Sequence, residues 1–203
     1  MGTVTRALEW YDTTRVRAFE LRDQLAWPAK LLLAFDVAAV TGLLAQVRFF
    51  LPFTPVPLTG QVLGVLLAGA LLGGGWGGVS MAMYVGLGAA GVGWFADFTS
   101  GWGVLAGVTG GYLVGFVVAA ALVGWLTARL KFARRFWPQC LLMLVGVAVI
   151  YLFGAVQFSL VFHTNLAQTL TMAVLPFIGA DCLKAFMAAS IARAVLPGMR
   201  RHG

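Results

Sequence analysis

Long apolar runs, joined by short polar or Gly- and Pro-rich connections, make up most of this chain. The runs are continuous rather than alternating with period two, a pattern typical of membrane helices and not of β-barrel strands. A helix that crosses a bilayer needs about 20 apolar residues. We therefore predict six membrane-spanning helices, over residues 29–48, 58–74, 76–92, 104–128, 137–161 and 166–194.

The overall composition agrees with this pattern. The chain has 203 residues, of which 61% are hydrophobic and 10% charged, and its mean hydropathy is +0.91. A soluble domain averages about 45–50% apolar and about 25% charged residues. These values exclude a water-soluble domain and predict an all-α integral membrane protein.

Residues 1–28 differ from the rest because they mix acidic and basic side chains with Trp10 and Trp27. They lack the short apolar core of a secretory signal. We predict an amphipathic extension that lies on the membrane surface, with a partner-docking element as the alternative. The transmembrane domain is then 29–196, and residues 197–203 form a basic tail.

The positive charges predict the orientation of the six spans. Alternating spans put both termini on one side, together with the connections at 73–78 and 129–136. That side carries twelve Lys and Arg residues, whereas the other side carries only Arg48. Cytoplasmic loops are enriched in Lys and Arg, so both termini are predicted to be cytoplasmic, in the bacterial inner membrane. The basic residues on the cytoplasmic side thus explain the isoelectric point near 10.1, and no nucleic-acid partner is expected.

Two opposite charges, Asp181 and Lys184, lie three residues apart inside the last apolar run. Positions i and i+3 are neighbours on one helix face. Each charge would cost roughly 2.5–3.5 kcal/mol at the centre of a lone membrane helix, so such side chains face a partner, a cavity or a ligand. The pair predicts a binding site within the membrane, and a structural ion pair that fixes helix register is the alternative.

The connection at 91–103 is rich in glycine and aromatic residues. Glycine hinges beside bulky rings favour a lid over an apolar ligand. An aromatic belt at the membrane interface is the other interpretation, and the two are compatible.

Small residues recur at spacing four in several predicted helices. Gly103, Gly107, Gly111 and Gly115 predict a ridge along the fourth span that lets a neighbouring helix approach closely, and Gly69, Gly73 and Gly77 predict the same around the second.

The first span repeats this spacing with Ala34, Ala38 and Gly42. These residues either pack inside the chain or present a docking strip to another subunit, and the sequence does not separate the two. Asp36 in the same helix is either a second polar pocket residue or an interface or water-exposed residue.

Neither a metal site nor an enzyme is predicted. Cys140 and Cys182 lie in different spans without metal-ligand spacing, and no phosphate-binding loop is present, so neither a cofactor nor ATP hydrolysis by this chain is expected. An intramembrane Ser–His enzyme would need Ser80 beside His163, but these two residues are expected on opposite sides of the membrane.

Three sequence blocks carry a resemblance that covers about residues 30–196. They read PVPLTGQ at 55–61, GVTGGYLVGF at 107–116 and PFIGADCLKA at 176–185. Together they resemble the BioY family, the biotin-specific substrate-capture (S) components of energy-coupling-factor (ECF) transporters. The chain departs from the family pattern at Gly60, Gly93, Val108 and Gly179–Ala180.

The resemblance implies a six-helix bundle of the S-component type that captures biotin from outside the cell. It also implies a transmembrane coupling subunit and two cytoplasmic ATPases as partners, with Ala34, Ala38 and Gly42 at the subunit interface. Function without dedicated partners stays open, as do an S component for another vitamin and a proton-coupled carrier that uses Asp36 or Asp181.

The residues also fit the chemistry of biotin. Asp181 can accept bonds from the ureido N–H groups, and Lys184 can donate to the ureido carbonyl or pair with the carboxylate. Gln61 can donate and accept, and Thr99 or Ser100 can bond the remaining polar end. The expected walls around the ring and alkyl chain are Trp94, Phe95, Trp102, Tyr112 and, with weaker support, Tyr84.

Overall fold

The computed structural model describes residues 2–73 and 75–197. Helix α1 covers the N-terminal extension, and a small antiparallel pair of strands follows α2. Most of the predicted basic tail lies outside the described residues. The helices are α1 Gly2–Gln24, α2 Trp27–Ala45, α3 Gln61–Leu72, α4 Trp76–Ala89, α5 Trp102–Ala106, α6 Gly110–Arg129, α7 Phe136–Phe162, α8 Leu166–Ala173 and α9 Ile178–Val195, and the strands are β1 Arg48–Phe49 and β2 Leu58–Thr59.

The described residues contain four segments long and apolar enough to cross a membrane. These are α2, α6, α7 and the segment Leu166–Val195 that contains α8 and α9. The chain is therefore a multi-pass membrane protein. Helices α3 and α4 have 12 and 14 residues and fall short of the usual length of about 20, so the count of six spans stays a prediction.

The fourth and sixth predicted spans are each two helices rather than one. Residues 107–109 interrupt the fourth, so the predicted glycine ridge is not one continuous row, and only its second half, Gly111 and Gly115, packs against α7. Gln157 of α7 donates to the carbonyls of Leu105 and Gly107 at this break, and the Gly107 carbonyl also accepts from the Gly110 amide. In the sixth, a 3₁₀ turn over Leu175–Phe177 separates α8 from α9, because Pro176 within it has no N–H to continue a helix.

Helix α1 lies across one end of the bundle. Arg15 donates to the carbonyl of Ala194 at 2.9 Å, and the Tyr11 hydroxyl donates to the same oxygen. Arg22 donates to the Leu71 carbonyl at 2.6 Å. Both carbonyls belong to the last turns of helices, where oxygens lack intrahelical donors and the dipole favours cations. The extension is thus held against the ends of α3 and α9, and its contact with the membrane surface stays a prediction.

The opposite end of the bundle carries the β hairpin and the connection at 90–101. Helix α2 ends at Ala45, three residues before the predicted end of the span, because Arg48 and Phe49 pair with Thr59 and Leu58 in β1 and β2. An ion pair between Arg48 and Asp97 joins the hairpin to the second connection. Two polypeptide loops therefore cover this end.

The predicted small-residue strip on α2 faces inward. Ala34 and Ala38 are fully buried, and the Ala34 carbonyl accepts a bond from the Ser80 hydroxyl at 2.7 Å. Gly42 packs against the Trp94 side chain. Of the two interpretations, packing within the chain is the one observed, so these three residues are not an exposed docking strip in this structure.

Helices α3 and α4 touch through backbone at Gly69 and Gly77. A Cβ atom added at Gly77 would lie 2.7 Å from the Gly69 Cα, a distance that no side-chain rotation can relieve. We expect Gly77→Ala to lower the free energy of unfolding by about 1–3 kcal/mol through overpacking. Gly86→Ala in the same helix has open space and is the control, neutral or slightly stabilising. Thermal unfolding in detergent measures both, and equal midpoints for the two variants would contradict this packing.

Candidate functional site

A cavity of about 260 Å³ lies at the loop-covered end of the bundle. The hairpin, the connection at 90–101 and helices α3, α5, α6, α7 and α9 supply its walls. Its size is close to the lower end of the range of about 300–1,000 Å³ for small-molecule sites. Helix α1 is at the other end, so the cavity and the N-terminal extension are separated by the bundle.

Asp181 is the charged centre of the cavity. It lies in the first turn of α9, where the helix dipole favours a carboxylate, and it is only 3% exposed. One carboxylate oxygen accepts from the Lys184 ammonium at 2.6 Å, and the other accepts from the Tyr151 hydroxyl of α7 at 2.7 Å. Each oxygen keeps acceptor capacity, and the ammonium keeps donors, for a further group in the cavity.

Gln61, the first residue of α3, forms a second polar group in the cavity wall. Its side-chain oxygen accepts from the Thr59 hydroxyl at 2.7 Å, and its amide nitrogen donates to the Tyr84 hydroxyl at 2.7 Å. Tyr84 in turn donates to the Trp94 carbonyl at 3.1 Å. The chain of bonds fixes the amide and leaves one N–H and one acceptor position free for a ligand.

Aromatic rings form much of the apolar wall. Phe95 is 1% exposed and sits against Gly88, where a side chain would collide with its ring. The Tyr112 ring packs against Gly154 in the same way, and its hydroxyl donates to the Ala173 carbonyl at 2.6 Å. Tyr112 therefore offers the cavity its ring, while its hydroxyl holds the end of α8.

The connection at 90–101 folds over the cavity and is held by Gln46. The Gln46 side chain donates to the Phe95 carbonyl at 3.0 Å and accepts from the Phe98 amide at 3.2 Å. Asp97 and Phe98 have positive φ angles of 63° and 53°, so the chain reverses sharply here. Phe95 is buried and lines the cavity, whereas Phe98 and Trp102 are 68% and 75% exposed. The connection thus carries a buried aromatic residue at the cavity, as expected of a lid, and exposed aromatic residues, as expected of an aromatic belt.

Six of the nine predicted binding residues line the cavity: Asp181, Lys184, Gln61, Thr99, Phe95 and Tyr112. Tyr84 is fully buried behind Gln61, which it orients. Trp94 and Trp102 are outside the lining. The Trp94 indole donates to the Tyr84 carbonyl at 2.8 Å and supports the wall from behind. Contact of these residues with a ligand stays a prediction.

Four polar lining residues were not predicted from the sequence: Tyr151, Thr59, Thr109 and Asp97. Tyr151 carried a signal, since it is a hydrogen-bonding side chain within a long apolar span. Thr59 belongs to the PVPLTGQ block, but the bond that joins it to Gln61 depends on the start of α3. Asp97 reaches the rim only because the backbone reverses at that residue.

Residues proposed for other roles are outside the cavity. Asp36 is exposed on α2 and is not a pocket residue. Ser80 is buried and bonded to the Ala34 carbonyl, whereas His163 follows the last residue of α7. Within residues 2–73 and 75–197, no group of three or more His, Cys, Asp or Glu side chains converges.

The arrangement suits a small ligand that is mostly apolar and has a polar group with both donors and acceptors. Asp181 and the Gln61 oxygen accept, and Lys184 and the Gln61 amide donate, all within a wall of aromatic and aliphatic side chains. Such a site binds by shape and a few directed hydrogen bonds.

A sequence model of the BioY family matches residues 15–201. The chain belongs to the BioY family. It is 44% identical over 138 residues to the "probable biotin transporter BioY" of Methanothermobacter thermautotrophicus, a match over 64% of this chain and 88% of that protein. It is 35% identical to the "biotin transporter BioY" of Thermotoga maritima, over 70% of this chain and 82% of the relative.

The fold of this BioY-family chain also has a solved counterpart. The S component for biotin from an ECF-type ABC transporter superposes with a TM-score of 0.77, at 24% identity. The match covers 88% of this chain and 96% of the solved one. At this identity the likeness establishes the shared S-component fold.

We expect substitutions at Asp181 and Lys184 to have non-additive effects on the free energy of unfolding. Both side chains are largely buried, at 4% and 15% exposed. Lys184→Met leaves a buried carboxylate and should cost about 3–5 kcal/mol, whereas Asp181→Asn with Lys184→Met should cost less than the two single changes summed. The rim pair Arg48–Asp97 is the control, with coupling of about 0–1 kcal/mol expected for an exposed pair. Thermal unfolding without ligand measures both cycles, and additive losses at Asp181 and Lys184 would contradict the coupling.

Proposed function

We propose that this BioY-family protein captures biotin from outside the cell, as the substrate-binding S component of an ECF-type transporter. The observation that carries the proposal is the cluster of buried Asp181 with half-buried Lys184 and Tyr151 at one wall of a largely apolar cavity. The relatives named as biotin transporters support it.

The ureido group of biotin is the end best suited to this cluster. It presents two N–H donors and one carbonyl acceptor, so it can donate to Asp181 and accept from Lys184 at once. A carboxylate at the same place would meet the negative charge of Asp181, which offsets the attraction of Lys184. We therefore place the ureido ring against α9, with Gln61 as a further partner.

The apolar part of biotin then extends along the cavity wall. Phe95, Tyr112 and Phe116 offer rings for the thioether ring and the alkyl chain. The carboxylate would reach the rim, where Thr99 and the Arg48–Asp97 pair lie. Contact with Arg48 would require this pair to loosen, so ligand binding and loop opening are expected to be linked.

The proposed topology has six spans, with both termini cytoplasmic in the bacterial inner membrane. Helix α1 contacts the ends of α3 and α9, so the predicted cytoplasmic connections and the extension lie at one end. The cavity is at the other end, which the topology assigns to the outside. Helices α3 and α4 would cross as short spans whose ends are continued by the hairpin and the connection at 90–101.

Binding alone does not move biotin into the cell. The sequence has no phosphate-binding loop, and the solved S component is part of an ECF-type ABC transporter. We therefore propose a transmembrane coupling subunit and two cytoplasmic ATPases as partners. This chain would then act as a binding subunit and not as an enzyme.

Calorimetric titration of the detergent-purified protein with biotin tests the proposal. We expect tight binding by the unchanged chain and a loss of at least about tenfold in Asp181→Asn and Lys184→Met, because each removes a charged hydrogen-bonding partner. Asp36→Asn is the matched control, since it makes the same chemical change outside the cavity, and its affinity should stay within about twofold of the unchanged chain.

A folded protein that does not bind biotin would refute the proposed substrate. Binding that survives in Asp181→Asn but not in Asp36→Asn would refute the proposed site. A monodisperse elution profile and an unfolding transition for each variant distinguish lost binding from lost folding.

The energy source for transport can be tested separately, by measuring the uptake of radiolabelled biotin in cells that express this protein. We expect uptake to stop when the ATPase subunits are deleted or their phosphate-binding loops are inactivated, while binding to the purified chain persists. Uptake that continues without ATPases and collapses with a protonophore would instead establish a proton-coupled carrier.

A further inference from the structure

Helix α1 joins the ends of two helices that carry polar groups of the cavity. Arg22 donates to the Leu71 carbonyl of α3 at 2.6 Å. Arg15 donates to the Ala194 carbonyl of α9 at 2.9 Å, and the Tyr11 hydroxyl donates to the same oxygen. All these bonds lie at the end of the bundle opposite the cavity. One helix therefore bridges α3 and α9 from below the site.

Contacts within α1 hold the bridging side chains in place. The Arg22 guanidinium lies 4.5 Å from the centre of the Phe19 ring, and its Nε donates to the Asp23 carboxylate at 2.9 Å. Arg15 lies over the Tyr11 ring at 4.6 Å. Phe19 packs against the buried core of the bundle. A helix that only rested on lipid would turn this ring toward acyl chains, so the contacts favour docking of α1 on the protein.

Helices α3 and α9 carry their cavity groups at the other end. Gln61 is the first residue of α3, ten residues or roughly 15 Å from Leu71. Asp181 lies in the first turn of α9, thirteen residues or roughly 20 Å from Ala194. The two helices also pack directly against each other. A change in their spacing at the α1 end is therefore transmitted to Gln61 and Asp181 by rigid elements.

We propose that residues 11–22 of α1 form a strap that holds α3 and α9 in the arrangement that binds biotin tightly, and that release of the strap weakens binding. The proposal rests on the proposed function, because it takes biotin to bond both Gln61 and Asp181. A ligand that bridges two helices binds most tightly when their spacing is already correct, because less ordering is then required. The strap thus controls affinity from the end opposite the cavity.

Hydrogen exchange of the unchanged chain tests this coupling. Two linked equilibria influence each other by the same factor, so biotin must strengthen docking of the strap as much as docking strengthens biotin binding. Local release exposes the strap amides to exchange without unfolding of the bundle. We expect saturating biotin to slow amide exchange over residues 11–22 by roughly tenfold. A strap that served only to stabilise the fold would exchange at the same rate with and without biotin.

Substitution of the two arginines tests the contacts themselves. Arg15→Met with Arg22→Met removes the guanidinium donors to both helix ends and keeps most of each apolar stem. We expect biotin to dissociate roughly tenfold faster, with rapid strap exchange that biotin no longer slows. Arg17→Met is the matched control, since Arg17 is exposed on the same helix, and its dissociation rate should stay within about twofold of the unchanged chain.

Equal dissociation rates in the double variant and in Arg17→Met would overturn the proposal, as would strap exchange that biotin does not change in the unchanged chain. The exchange measurement needs no substitution, so it decides the question even if the double variant does not fold. Failure of the proposed function looks different. The unchanged chain then binds no biotin and the strap proposal fails with it, whereas failure of the strap alone leaves tight biotin binding that is independent of α1.

Discussion

The burial of one carboxylate, Asp181, inside a membrane bundle is the constraint on which the rest of the site depends. A charge at that depth persists only with partners, and it has three: the first turn of α9, the Lys184 ammonium and the Tyr151 hydroxyl. These partners come from α9 and α7, so the carboxylate also fixes how the two helices meet. The cluster keeps free donors and acceptors that point into the cavity.

The two interruptions in the helices shape the cavity and position Asp181. The break at residues 107–109 ends α5 and opens space for the cavity, and the 3₁₀ turn before α9 places Asp181 close to a helix N-terminus. Non-helical backbone at membrane depth is tolerated where it is buried in protein or lines a cavity, and Gln157 supplies the donors that the break requires. The regular helices α6 and α7 pack against the interrupted segments and support them.

The sequence predicted the apolar segments and the central charged pair, and six of its nine expected binding residues line the cavity, because hydropathy and the three blocks are local signals. It did not predict the breaks in the fourth and sixth spans, because hydropathy alone does not show a turn inside an apolar run. In the sixth span Pro176 was a local signal for the break, whereas residues 107–109 contain no proline. Trp94 and Trp102 were expected in the wall, but their orientations depend on the backbone reversal at Asp97 and Phe98. Whether small residues such as Ala34 pack inward or outward depends on neighbouring helices, which a single helix pattern does not specify.

The most direct test of the central claim is a structure of this protein with biotin bound. The account predicts the ureido ring within hydrogen-bonding distance of Asp181 and Gln61, with the alkyl chain along Phe95 and Tyr112 and the carboxylate toward the rim at Thr99. Biotin bound with its carboxylate on Lys184, or bound outside this cavity, would contradict it.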